Sequence, residues 1–175
     1  MHRRFIATLA TAVLALGIVA TPVAARPVAP GSIVDVAIGV NSSGPYAGAF
    51  DTLIAAVVAS PDVLARLSQR GGYTVFAPTD AAFAKLGLNP SNVGSAFSTK
   101  TLTAILSYHV APGVRDAADV VGSSRIRTLQ GGVLRQSGGV LTDALGRTST
   151  IIVTDVPASN GIIHAIDTVV LPFAP

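Results

Sequence analysis

The sequence has no cysteine and no glutamate, and only 12% of its 175 residues are charged. The absence of cysteine excludes disulfides, thiol catalysis, cysteine-based zinc sites and an N-terminal lipid-modified cysteine. A fold made from this chain must therefore stand on its apolar core. All nine acidic groups are aspartates, so exposed helices have little Glu–Lys pairing to support them. No phosphate loop or dinucleotide fingerprint occurs, because the glycine pairs Gly131-Gly132 and Gly138-Gly139 sit between strand-like runs rather than before a helix. Two well-separated histidines, with no glutamate or cysteine near them, are a poor supply of metal ligands. No metal or cofactor is expected.

What is present is apolar: half of the residues are hydrophobic, enough for one continuous core and contrary to intrinsic disorder. The length allows a single domain. Residues 1–25 read as a secretory signal peptide. His2, Arg3 and Arg4 form a cationic start, an apolar run extends from Phe5 to Ala20, and small side chains at Val23 and Ala25 favour cleavage after Ala25. The apolar run is short for a membrane span of about 20 residues. The mature chain is expected to have no integral membrane span and to be secreted, to the periplasm or beyond. The net charge of +3 shrinks once this segment is set aside, leaving ten basic and nine acidic groups. Those basic residues are scattered, apart from Arg125 and Arg127, and no aromatic residues alternate with them, so no nucleic-acid partner is expected.

Residues 26–31, with Pro27, Pro30 and Gly31, read as a flexible lead, and residues 32–175 as one domain. Residues 33–40 form a short apolar segment. The spacing of Phe50, Leu53, Ile54, Val57 and Val58 predicts an amphipathic helix over 49–59. Ser60 and Pro61 restart a second helix as N-cap and first helical residue, and Gly71-Gly72 ends it. Residues 73–77 form a β-rich run closed by Pro78. Thr79 or Asp80 caps the next helix, and two more are expected over 90–97 and 100–108. Beyond Val110 short β-prone runs alternate with glycine turns, at 125–129, 133–136, 140–142, 150–153 and 162–165, with a last run at 168–171. Helices first and strands later describe an α+β domain. Asn160-Gly161 signals a tight turn needing positive φ, after which Ile162, His164 and Ile166 share one strand face and Ile163 and Ala165 the other.

Three stretches resemble the fasciclin (FAS1) domain family, in its secreted single-domain bacterial form. Thr74-Val75-Phe76-Ala77-Pro78-Thr79-Asp80-Ala81-Ala82-Phe83 is similar to the first fasciclin box, and Leu106-Ser107-Tyr108-His109-Val110 to the central Tyr-His element. Asp155 to Asp167, followed by Val169-Val170-Leu171-Pro172, is similar to the second box. The resemblance implies a wedge of two small β-sheets flanked by an N-terminal set of helices. It implies a structural role for Thr74, Phe76, Pro78, Phe83, Asn160, Gly161, His164 and Asp167. It also implies adhesion: in animal matrix members the Tyr-His element and an Asp-Ile pair before the second box are implicated in integrin binding, which carries over to Tyr108, His109 and Asp155. Here Val156 and Pro157 depart from that pattern.

A Ser159–His164–Asp167 triad can be drawn on paper, but no Gly-x-Ser-x-Gly elbow surrounds Ser159. His164 reads instead as a structural histidine satisfied by nearby partners. The chain is therefore expected to be a non-enzymatic binder of a cell-surface or envelope protein or polysaccharide. The alternative is a carrier of an apolar small ligand such as a carotenoid, which some secreted members of the family resemble. Tyr108 and His109 have a second reading as core anchors at a helix-to-strand junction.

Overall fold

The computed structural model describes residues 31–174; the leader-like segment 1–25 and nearly all of the lead lie outside them. Seven helices and seven strands follow in the order α1 (Ile33–Ser42), α2 (Asp51–Val58), α3 (Pro61–Ser68), β1 (Tyr73–Pro78), α4 (Asp80–Ala84), α5 (Val93–Ala96), α6 (Thr99–Tyr108), β2 (Val110–Pro112), α7 (Ala117–Gly122), β3 (Arg125–Arg127), β4 (Val133–Ser137), β5 (Val140–Thr142), β6 (Thr148–Ala158) and β7 (Gly161–Ile166). The class is α+β, as the pattern of elements implies.

The strands form one sheet in the order β2-β1-β7-β6-β5-β4-β3. The two small sheets expected from the resemblance are its two halves, joined because the eleven-residue β6 pairs with β7 along one stretch and with β5 along another. All neighbours are antiparallel except β1 and β7, which run parallel from Tyr73↔Gly161 to Pro78↔Ile166. Parallel strands are covered on both faces, and every residue of β7 is buried. The period-two reading of β7 holds. Ile163 and Ala165 join Val75 and Ala77 in a core with α2, α3 and α6, whereas Ile166 joins Phe76, Tyr108, Ile126, Leu134 and Leu141 in a second core.

Capping explains much of the helical half. Ser32 forms a capping box with Asp35 at the start of α1. The Thr79 hydroxyl accepts from the Ala82 amide and starts α4. Asp80 works elsewhere: its carboxylate accepts from the Thr52 amide in the first turn of α2, whose own N-cap, Phe50, offers no side-chain acceptor. Ser60 occupies the N-cap position of α3 with Pro61 at N1, as expected, but its hydroxyl makes no capping bond and is buried without a partner. Its carbonyl accepts from Val63 and Leu64 instead. Helix α3 ends at Ser68, short of the glycine pair.

Four elements depart from the expectations. Residues 33–40 belong to helix α1, although their nearly continuous apolar run carries no clear period. Helix α7 and the short β2 were not anticipated. The run 168–171 is not a strand: side chains fasten it in place of a ladder. His109 Nε2 and Asp143 Oδ2 accept from the Val170 and Leu171 amides, and Arg147 donates to the Val169 carbonyl.

Candidate functional site

Tyr108 and His109 lie where α6 runs into β2, and both are buried, with 0% and 2% exposure. The contact role carried over to them is corrected by that burial. The Tyr108 hydroxyl donates to the Val133 carbonyl, so the ring tethers the helical half to the second core. Burial, with the nearby Asp143 charge adding to it, raises the phenol above its ordinary range. His109 Nε2 accepts from the Val170 amide, so Nδ1 carries the proton and donates to the Ile105 carbonyl at 2.8 Å. Burial pushes this imidazole down to about 4; Arg147 acts in the same direction, while the Ile105 carbonyl and Asp143 oppose it. It is a neutral structural group.

His164 is fully buried and stacks on Phe76, with ring centroids 5.8 Å apart. Its Nδ1 accepts from the Asp155 amide at 3.2 Å, and its Nε2 donates to the Arg115 carbonyl at 2.9 Å. Both nitrogens are thus engaged by backbone, and neither by Ser159 or Asp167. Asp167 instead receives the Thr150 amide, the Thr168 hydroxyl and the Ser149 hydroxyl on Oδ1. Burial opposes its charge, but these donors and the Lys85 ammonium outweigh it and hold the carboxyl below its usual range. Ser159 contributes only its backbone amide, to the Gly31 carbonyl, so the three residues do not converge on a triad.

Asp155 is exposed and has φ +60, the only non-glycine positive φ among the described residues. It lies where the β6–β7 register shifts, between Val153 and Val156. Aspartate tolerates the left-handed region better than most side chains. Here its carboxylate also accepts from the Ala117 amide at the start of α7. Of the three residues proposed for contact, it alone meets solvent.

The remaining box residues hold the scaffold. The Thr74 hydroxyl accepts from Arg115 and donates to the Gly113 carbonyl, fixing the loop beneath His164. Phe83 and Phe76 are buried in the first and second cores, and Pro78 is buried at the end of β1. Asn160 is buried in the β6–β7 turn: its side chain accepts from the Ile33 amide and donates to the Leu67 and Gln69 carbonyls, tying α1 and α3 to the sheet. Neither Asn160 nor Gly161 has positive φ, which corrects the turn chemistry expected of them. The two-residue turn is Ser159-Asn160, and Gly161 is required by close approach: a Cβ there would overlap the Tyr73 carbonyl oxygen and lie 2.7 Å from Ile33 Cδ1.

One site was missed by sequence reasoning. Asp143 accepts from the Leu145, Arg147 and Leu171 amides and from the Arg147 guanidinium, in an ion pair of 2.7 Å. Burial works against its charge, yet the Leu171 amide and Arg147 prevail and lower its carboxyl. The 143–147 spacing was visible, but it falls in a turn, and its reach to Leu171 is set by tertiary structure.

Two concave features accompany these networks. An apolar cavity of about 60 Å³ lies under α1, between it, α2, α3 and β1, and is lined by residues such as Ile33, Leu53, Leu67 and Val75. An open cleft of about 860 Å³ separates α3 from α6, with Arg66, Gln69, Lys100, Ser107 and Gln130 on its walls. Among the described residues no cluster of histidine and aspartate side chains could hold a metal, and no helix is long and apolar enough to cross a membrane.

A sheet of this order, with a Tyr-His junction and a histidine bracing a bulged hairpin, defines a FAS1-type domain. The fasciclin domain family matches residues 48–172, and the chain belongs to that family. Protein sll1483 of Synechocystis sp. is 40% identical over 148 residues, which cover 81% of this chain and 73% of that protein. Transforming growth factor-beta-induced protein ig-h3 of Sus scrofa is 33% identical over 144 residues, 81% of this chain and 19% of the relative. Immunogenic protein MPB70 of Mycobacterium bovis is 38% identical over 104 residues, 58% of this chain and 51% of the relative. Among solved structures, a FAS1 domain pair from the insect cell adhesion molecule fasciclin I matches with a TM-score of 0.61 at 22% identity, covering 82% of this chain and 51% of the other.

Proposed function

We propose that this chain is an exported, non-catalytic adhesion domain that holds a cell-surface or envelope protein or polysaccharide through its exposed surface. The observation that carries this reading is the engagement of all four ring nitrogens of His109 and His164 by backbone groups. The chemistry-bearing side chains are committed to the scaffold, and the surface is left for function. Fasciclin I, whose fold it shares, is named a cell adhesion molecule. Asp155 is the proposed contact residue among those carried over from the family.

Immobilised residues 26–175 are expected to retain envelope or cell-surface fractions above a heat-denatured control. Asp155→Asn keeps an acceptor for Ala117 and tolerates positive φ, so it removes the charge with the least disturbance of the fold. It should at least halve retention; equal retention by native and denatured chain overturns the reading. Export rests on the segment 1–25, and N-terminal sequencing of the exported protein should begin at Arg26.

A carrier of an apolar small ligand is the second reading, favoured by the cavity beneath α1. At about 60 Å³ it is below the roughly 300 Å³ typical of ligand pockets, so a carotenoid requires α1 to move away from α2 and α3. A visible spectrum of the protein purified in the presence of carotenoid-rich membranes decides this reading, and a colourless product overturns it.

A further inference from the structure

The outer face of the β3–β6 half-sheet carries positive charge that the scaffold leaves unneutralised. Register places Arg125 directly opposite Arg135, Arg135 opposite Thr142, and Thr142 opposite Thr148. Side chains alternate along a strand, so Arg127 joins this face while Ile126, Leu134 and Leu141 turn inward and are fully buried. All three arginines are exposed. Paired strands lie about 5 Å apart and alternate residues about 7 Å apart, so the three stems rise from one small area.

Like charges directly opposite one another destabilise a sheet. Charge on a short edge strand discourages edge-to-edge pairing, which accounts for Arg125 and Arg127 on β3. It does not account for Arg135 on β4, an interior strand. Among the described residues no carboxylate lies within ion-pair distance of any of the three, although nine acidic and nine basic residues are present there. The acidic helix α7, which contacts β4, sits on the opposite face, since its Val120 belongs to the core of Ile126 and Leu134.

We infer that this face is a docking surface for an anionic polysaccharide bearing carboxylate or sulfate groups; the inference rests on the adhesion reading for its class of partner. Guanidinium forks match carboxylate and sulfate oxygens in pairs; Thr142 lies opposite Arg135, and Thr148 and Thr150 extend the same face across β6, offering hydroxyls for neutral sugar groups. A flat face suits an extended polymer better than a small ligand, which takes a concave site. The face has no aromatic residue on which nucleic-acid bases would stack. Of its aliphatic residues, Val133 and Val140 are half-buried, and Ile152 at the far end of the face is exposed alone, one side chain where insertion into a lipid surface takes a continuous apolar face.

The test measures binding of the mature chain to dextran sulfate, polygalacturonate, neutral dextran, a single-stranded oligonucleotide and phosphatidylglycerol vesicles. Wild type should bind both anionic glycans and not neutral dextran. Affinity should fall roughly tenfold or more between 50 and 200 mM salt for about three neutralised charges. The triple variant Arg125→Ser, Arg127→Ser, Arg135→Ser should bind at least tenfold more weakly. Arg135→Thr alone should weaken binding while raising the melting temperature of the free protein, a combination that a merely structural arginine would not give. No binding to either anionic glycan, undiminished binding by the triple variant, a lowered melting temperature in Arg135→Thr, or equal binding of oligonucleotide or vesicles overturns the inference. Envelope fractions retained equally by wild type and triple variant overturn it while leaving the adhesion reading standing; loss of retention by wild type itself overturns both.

Discussion

Replacing His164 with alanine removes a ring that touches three parts of the fold at once. The Arg115 carbonyl loses its donor and the Asp155 amide its acceptor. Leaving a buried polar group unpaired costs about 1–3 kcal/mol. Asp155 is exposed, so water can reach its amide, and only the Arg115 carbonyl is counted at full weight. Loss of the stack on Phe76 adds about 1 kcal/mol, and the void left at a site of 0% exposure adds a cavity term of similar size. The expected destabilisation is about 3–5 kcal/mol, or roughly 6–20 °C in melting temperature for a domain of this size. Urea unfolding followed by circular dichroism, with thermal melts alongside, measures it. Hydrogen exchange should also rise in the 113–116 loop and at the β6 bulge, since His164 links the two. An unchanged unfolding midpoint would refute the assignment of His164 as the brace of the hairpin.

Asn160→Ala breaks three hydrogen bonds that span more than 90 residues of sequence; the expected cost is about 3 kcal/mol, with faster exchange at the start of α1 than in β4, which uniform exchange would contradict. His109 has a folded pKa of about 4 against an ordinary 6.5. Between those values the unfolded chain binds a proton that the native chain does not, so this group's stabilisation is full above about 6.5 and lost as pH falls toward about 4, on the order of 3 kcal/mol in all. Urea midpoints at pH 4.5 and 7 check this, and His109→Gln should flatten the slope; an equal slope in that variant contradicts it. Asp143→Asn removes the charge paired with Arg147 and disturbs the acceptor for Leu171, so about 2 kcal/mol should be lost, with proteolysis after residue 167 appearing first. Resistance equal to wild type would show that the C-terminal segment is held by other means.

The two boxes and the Tyr-His element were legible because each combines a local signal with an apolar period: a proline closing β1, Thr79 capping α4, alternation along β7. What stayed hidden depended on distance in sequence. Helix α1 carries an apolar run that reads equally as a strand, and its placement is decided by Asn160, 127 residues away. Strand β6 reads as four residues because Asp155 and Pro157 interrupt its pattern, yet a bulge absorbs the interruption and the strand reaches eleven. Segment 168–171 has strand composition but finds side chains in place of a neighbouring ladder. Among the site residues, Tyr108 and His109 illustrate the ambiguity most plainly. A polar aromatic and an imidazole at a helix end suit a contact surface and a core equally, and only burial separates them.

The proposed division of labour gives the scaffold to the histidines and the binding to an exposed surface. It is tested most directly by measuring envelope retention for two sets of variants at a temperature where circular dichroism shows all of them folded. His109→Gln and His164→Asn should retain envelope fractions as wild type does, whereas Asp155→Asn and the triple arginine variant should lose retention. Folded histidine variants that fail to bind, beside surface variants that bind undiminished, would contradict the account.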